Sequence, residues 1–316
     1  MKSVIISALR NDWLLLIVPG VIWGASFLFI AEGLEAMGPS GVAFLRILIG
    51  FATLACFPAA RRSIRGDWGA VALLGVLWMA FPLSMFPFAE QTVSSAVTGM
   101  LNGAIPLFAG VVASVIARSL PPRNVCLGIA VGLAGAILIG LPNVRSGGNS
   151  AVGVALIVAA LVSYGFAVNI ARPLQLKHGA LPVVWRAQAV ALILTAPLGV
   201  PDLLAATWRV GPLLSLLALG ALGTGVAFVL AAIAAGRVGA TRASSIAFLI
   251  PPVALLLGVL RGEQVALLSA AGCAICLGGA WLMRRAPTPR VVRPTISAGD
   301  CHESIDRREP VRARAV

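Results

Sequence analysis

Eight polar or ionisable side chains stand inside otherwise apolar stretches: Arg46, Glu90, Asn102, Tyr164, Asn169, Arg186, Gln188 and Thr224. A charge at the centre of a membrane-type helix costs roughly 2.5–3.5 kcal/mol on insertion scales, so such residues need a reason to be there. A guanidinium can hold a carboxylate through two parallel hydrogen bonds, which is the most specific chemistry open to Arg46 and Arg186. The competing reading is that each snorkels, or pins a neighbouring helix end by bonding its carbonyls. Glu90 closes an apolar run just before Gln91-Thr92. It is either a solvated loop carboxylate or a proton- or cation-binding group at the mouth of a cavity. Asn102 and Asn169 can hydrogen-bond a small molecule or a neighbouring helix. Trp23 and Tyr164 suit either a cavity wall or packing.

Catalysis would need a different set of residues. An enzyme in this setting requires a nucleophile–base pair, paired acids or metal ligands at depth. The two histidines, His178 and His302, fall in a loop and in the tail. The sequence has no His-Glu-x-x-His, Gly-x-Ser-x-Gly or phosphate-binding Walker motif. Cys273 and Cys276 form a Cys-x-x-Cys, but inside an apolar helix, where small packing residues are the plainer reading. No enzyme, metal site or cofactor is therefore expected. Glu32, Glu35, Glu90 and Glu263 are the few acids near the apolar region, too few for a rich intramembrane proton relay.

The elements that position these residues follow from composition. Hydrophobic residues make up 59% of the 316 and charged residues 11%, against about 25% charged in a soluble domain. A span needs about 20 apolar residues. Ten candidates follow: 13–31, 41–60, 69–89, 93–117, 124–141, 151–171, 182–200, 211–234, 240–260 and 264–283. The expected fold is an all-α membrane protein of about ten spans. The net charge of +13 does not point to nucleic acid, because no basic face with interleaved aromatics occurs. Eight basic residues lie in the last 33 positions, a tail expected to be disordered and to lie beside an anionic leaflet.

Basic residues also set an orientation. With the N-terminus in the cytoplasm, 19 Lys and Arg fall inside, including Lys2, Arg10 and Arg242, and three fall outside: Arg145, Arg209 and Arg261. That asymmetry fits a multi-pass protein of the cytoplasmic membrane with both termini inside.

The chain also repeats weakly. Gly24 and Gly165 differ by 141, Arg46 and Arg186 by 140, and Ile105-Pro106 and Ile250-Pro251 by 145. Each unit holds five spans, so the second must enter the membrane inverted. That arrangement is common in secondary transporters, with the binding site near the midplane between repeats. Pro106 and Pro251 are the expected hinges. The domains are 1–141, 151–283 and a basic tail, 284–316. The Gly-x-x-x-Gly pairs suit packing within the chain better than dimer contacts, though a homodimer stays open.

The sequence resembles the EamA family of the drug/metabolite transporter superfamily. The resemblance rests on Trp23-Gly24-Ala25-Ser26-Phe27, Leu45-Arg46, Ser94-Ser95-Ala96 leading to Ile105-Pro106, Ala243-Ser244-Ser245 leading to Ile250-Pro251, and Gly258 to Glu263 with Gly272. It covers about 13–283. It implies a secondary transporter working by alternating access, most readily an exporter of small metabolites such as amino acids. Its partners would be that substrate and the lipid. A membrane sensor or assembly scaffold is the alternative. Family members often carry an acid after the proline helix in both halves; here the second half has Glu263 and the first has Arg118 at the matching place.

Overall fold

The computed structural model describes residues 11–145, 148–238 and 243–284. The basic tail beyond Arg284, and Lys2, Arg10, Arg242 and His302, lie outside the described residues. Among the described residues the regular structure is helical, with no strand. In chain order the segments are α1 (Asp12–Gly33), α2 (Pro39–Ala55), α3 (Trp68–Glu90), α4 (Ser95–Ala117) and α5 (Arg123–Arg145). Then come α6 (Gly148–His178), α7 (Ala180–Leu204), α8 (Val210–Val238), α9 (Ile250–Leu260) and α10 (Leu267–Arg284).

Seven of these helices are long and apolar enough to cross a membrane. Three are shorter: α2, α9 with the turn before it, and α10. The stretch expected as a span over 41–60 ends its helix at Ala55. The backbone then tightens, with Phe57 N–H donating to the Leu54 carbonyl, and Pro58 cannot supply the next donor. At 17 residues, α2 is about 26 Å long at 1.5 Å per residue, against a hydrocarbon core of about 30 Å.

Two other expected spans are broken, and both breaks fall before a proline. In α4 an α-helix over Ser95–Asn102 stops at Gly103 and restarts at Ile105–Ala117. Pro106 supplies no N–H and its ring crowds the carbonyl of residue 102, so the turn must reset. The stretch expected over 240–260 likewise gives a tight 3₁₀ turn, Ser244–Phe248, and then α9, with Pro251 in its first turn.

Two helices widen instead of breaking. In α3 the segment Gly75–Ala80 takes the i→i+5 pattern, and Phe81 N–H reaches back to the Val76 carbonyl. In α8 the segment Leu219–Val226 does the same, Ala227 reaching Leu222. Such wide turns release backbone groups and recur at functional sites.

Close packing uses small residues where α5 crosses α10. A Cβ on Gly272 would stand 2.7 Å from the Gly135 carbonyl and 2.8 Å from the Ile139 nitrogen. Any larger side chain would force the two backbones apart. Cys273 and Cys276 are buried as free thiols in α10, and Cys276 meets Gly135. The Gly128/Gly132 pair thus packs inside the chain, against α10 and against Leu107 of α4. Outside, Ile137, Ile193 and Leu198 are 65–73% exposed. Side chains of that size pointing outward suit lipid tails.

Polar contacts close the helix ends. The Glu263 carboxylate accepts from Ser95 N–H (3.2 Å), Ser95 Oγ (2.6 Å) and Ala96 N–H (2.9 Å), which satisfies the first turn of α4. Asp202 accepts from Gly41 N–H at the start of α2. Arg261 pairs with Glu32 (2.6 Å) in the last turn of α1 and with Glu35 (2.7 Å) just after it. Arg237 meets Asp12 at 2.9 Å. Before α3, Asp67 takes Lys177 Nζ at 2.7 Å and His178 Nε2 at 2.9 Å. The hydrogen bond from Lys177, and then that from His178, hold the Asp67 carboxyl below its usual value.

Candidate functional site

Two hollows matter. The larger, about 570 Å³, lies at the helix ends and is lined by Glu35, Met37, Glu90, Gln91 and Thr207. The smaller, about 210 Å³, lies among the helices themselves. The smaller one gathers more of the candidate residues: Trp23, Arg46, Asn102 and Tyr164 all line it. We take it as the site, because convergent polar groups in an apolar enclosure mark a binding cavity better than size does.

Arg46 comes from the middle of α2 and is 5% exposed. Its Nε donates to Thr224 Oγ1 at 3.3 Å, and that hydroxyl donates to the Leu219 carbonyl at 3.1 Å. The wide turn in α8 makes this possible, since it carries both groups. Gln188 Nε2 donates to the Thr224 carbonyl at 2.7 Å, so α7 braces the same turn. Asn102 ends the first part of α4, just before the proline break, and is 6% exposed.

The apolar wall is aromatic. Trp23 Nε1 donates to the Gly223 carbonyl at 2.9 Å, again in the wide turn. Its ring meets Phe228 edge-on at 5.4 Å, and Trp78 meets the same Phe228 at 5.6 Å. On the other side Phe86 lies between Phe27 (5.6 Å) and Tyr164 (6.0 Å). Trp78 belongs to the wide turn of α3, so both wide turns face the cavity.

The remaining candidates are placed elsewhere. Asn169, expected on the cavity, instead donates to the carbonyls of Ala109 (3.1 Å) and Gly165 (2.8 Å). It holds α6 against α4, next in sequence to the lining residue Val168 but directed away from the cavity. Arg186 reaches the carbonyls of Pro182 (3.1 Å) and Ala60 (3.4 Å) and lies near the Trp68 and Trp185 rings. It pins the chain after α2. Glu263 caps α4, as above. Glu90 lines the larger hollow, and both its carboxylate oxygens are buried without a hydrogen-bond partner. Pro106 and Pro251 stand next to lining residues Ile105 and Ile250. Sequence reasoning did not single out Trp78, Phe86 or Phe228, because an aromatic in an apolar run carries no signal until its neighbours are known.

Against known proteins the pattern is consistent over nearly the whole chain. The profile of the EamA-like transporter family matches residues 13–141 and again 151–285. The chain belongs to the EamA-like transporter family. It is therefore a multi-pass membrane transport protein of the drug/metabolite transporter superfamily. The uncharacterized transporter YdfC of Bacillus subtilis (strain 168) is 29% identical over 267 residues, covering 82% of this chain and 86% of its own. A probable terminal-alkyne amino-acid exporter of Streptantibioticus cattleyicolor is 26% identical over 278 residues, covering 85% of this chain and 92% of its own. One protein of known crystal structure superposes with a TM-score of 0.59 at 19% identity, covering 87% of this EamA-family chain and 97% of its own. That last likeness concerns the fold alone.

Proposed function

We propose that this EamA-family chain is a secondary transporter that exports small metabolites, such as amino acids or related compounds, by alternating access. The observation that carries the reading is the cavity among the helices, whose walls come from both matched stretches of the chain and include both wide helical turns. A static scaffold has no use for such a space. The amino-acid exporter among the relatives supports the substrate class.

The proposed architecture is ten spans in two inverted five-helix repeats, 1–141 and 151–283, with both termini and the basic tail in the cytoplasm. Reciprocal contacts support it. Gly24 packs on Val253, and Gly165 packs on Phe108, with partners offset by 141 and 145. Gly220 approaches Ile49 and the Arg46 carbonyl, while Gly75 approaches Val190 and the Ala187 carbonyl, with the same two offsets. An inverted pair related by a two-fold axis produces contact pairs of this kind. The proline breaks before Pro106 and Pro251 then act as paired hinges beside the cavity.

The test is flux. Purified protein in liposomes moves a labelled amino acid or related metabolite faster than empty liposomes. A broad panel that is neither bound nor moved overturns the reading and leaves the scaffold alternative.

A further inference from the structure

Arg46 is a buried cation that makes no ion pair among the described residues. One hydrogen bond, Nε to Thr224 Oγ1, is all it makes among the described residues. Its two terminal nitrogens form no ion pair, and no acidic side chain occurs among the described residues lining the cavity. Glu90 is near enough to feel the charge but belongs to the other hollow and makes no ion pair with Arg46. A guanidinium taken from water is retained only when an anion or several acceptors meet it.

Two further polar groups around the same space are unbonded. Among the described residues the Asn102 side chain makes no hydrogen bond from either end, and its Oδ1 is buried. The Tyr164 hydroxyl has no partner among the described residues, although its ring packs on Phe86. Buried polar atoms are normally satisfied, so the buried and unpartnered Asn102 Oδ1, with the unbonded ends of Arg46 and Tyr164 around the same cavity, marks where a ligand supplies the missing atoms. The rest of the wall is mainly apolar, and Trp23, Trp78 and Phe228 form one aromatic side of it.

We infer that the cavity selects a small carboxylate with a short apolar chain and rejects cations. The assignment rests on the transport reading above and sharpens it. The carboxylate lies on the two terminal nitrogens of Arg46 as a bidentate pair. Asn102 and Tyr164 bond the polar group next to the carboxylate, and the chain enters the Trp23–Trp78–Phe228 box. A volume of about 210 Å³ falls below the roughly 300–1,000 Å³ of drug-sized pockets, so the fit is to a small metabolite. Cationic drugs find no negative group there.

Three molecules of nearly equal size separate the contributions. L-leucine carries carboxylate and ammonium, 4-methylpentanoate keeps only the carboxylate, and L-leucinamide keeps only the amine. Thermal unfolding of the full chain in detergent should rise in midpoint with L-leucine and with 4-methylpentanoate, and stay unchanged with L-leucinamide. Arg46→Gln should weaken both carboxylates at least tenfold, and Asn102→Ala should weaken L-leucine more than 4-methylpentanoate. Should Arg46→Gln fail to fold, the series on the unaltered protein still decides. Stabilisation by L-leucinamide equal to that by L-leucine, or by none of the three, overturns the inference. Liposome flux keeps the two readings apart: transport of a cation with no carboxylate binding removes this inference and leaves the transporter standing.

Discussion

The indole N–H of Trp23 donates to the carbonyl of Gly223 at 2.9 Å, joining α1 to the wide turn of α8. The other wide turn is held in the same way: Ser163 Oγ of α6 donates to the Leu77 carbonyl of α3 at 2.7 Å. Each wide turn frees a carbonyl, and the first helix of the other matched stretch takes it up. The cavity is built on these two bonds, so they should matter to transport more than to insertion.

Trp23→Phe keeps a ring against Phe228 and removes the donor. Loss of one hydrogen bond to a buried carbonyl should cost about 1–3 kcal/mol. The expected outcome is unchanged expression, a lowered unfolding midpoint and several-fold slower flux. Trp23→Ala and Tyr164→Ala should slow flux further at similar expression. Expression and flux falling together would mean that these rings only pack.

Gly220→Ala tests the close approach of α8 to α2. The added methyl would meet Ile49 and stand 3.2 Å from the Arg46 carbonyl. Overpacking of that kind costs typically 1–3 kcal/mol. Gly75→Ala, 2.9 Å from the Ala187 carbonyl, should behave alike. Gly236→Ala is the control, because nothing stands within 4 Å of its added methyl. There the helix should gain about 0.5–1 kcal/mol. Detergent unfolding midpoints separate the three.

Much of this was legible in the chain itself. Apolar runs announced the helices, and the order of Gly24, Arg46 and Pro106 against Gly165, Arg186 and Pro251 is the sequence's sign of the proposed repeat. The proline positions also marked where α4 and the stretch before α9 break. The wide turns were not legible. Leu219–Val226 and Gly75–Ala80 read as plain apolar helix, because an i→i+5 turn leaves no periodic signature over so few residues. The roles of the two arginines separated for a similar reason. Arg46 and Arg186 are 140 apart, one short of the 141 that relates Ile49 to Val190 and Arg46 to Ala187 in the contacts, and only Arg46 faces a cavity; Arg186 finds the Ala60 carbonyl within 3.4 Å. Whether a buried cation meets a carbonyl or an empty space depends on a neighbouring helix that sequence spacing does not locate.

Glu90 and Glu263 should respond oppositely to amidation. Both oxygens of Glu90 are buried and unbonded, so Glu90→Gln removes a carboxylate that nothing in the protein holds. Its unfolding midpoint should stay level or rise. Glu263 accepts three hydrogen bonds from the start of α4. Glu263→Gln puts an amide donor against those donors and should cost about 1.5–3 kcal/mol, as loss of bonds to charged groups does.

The Asp67 link gives a pH dependence of known sign. Its folded-state pKa is lowered, so its contribution is present above the unfolded value of about 4 and is lost as pH falls through the lower folded value. Asp67→Asn also tolerates the left-handed backbone there, at φ 57°. The midpoint difference between the two proteins should be constant from neutral pH down to about 5 and shrink toward zero in stronger acid. A difference that grows in acid would contradict the assigned link.

The central claim is that the cavity between Trp23, Arg46, Asn102 and Tyr164 is the path of the substrate. Liposome flux of labelled L-leucine, measured for the unaltered protein and for Tyr164→Ala at equal incorporated protein, tests it most directly. The account predicts movement above empty liposomes that Tyr164→Ala reduces at least tenfold. No movement by the unaltered protein, or equal movement by both, would contradict it.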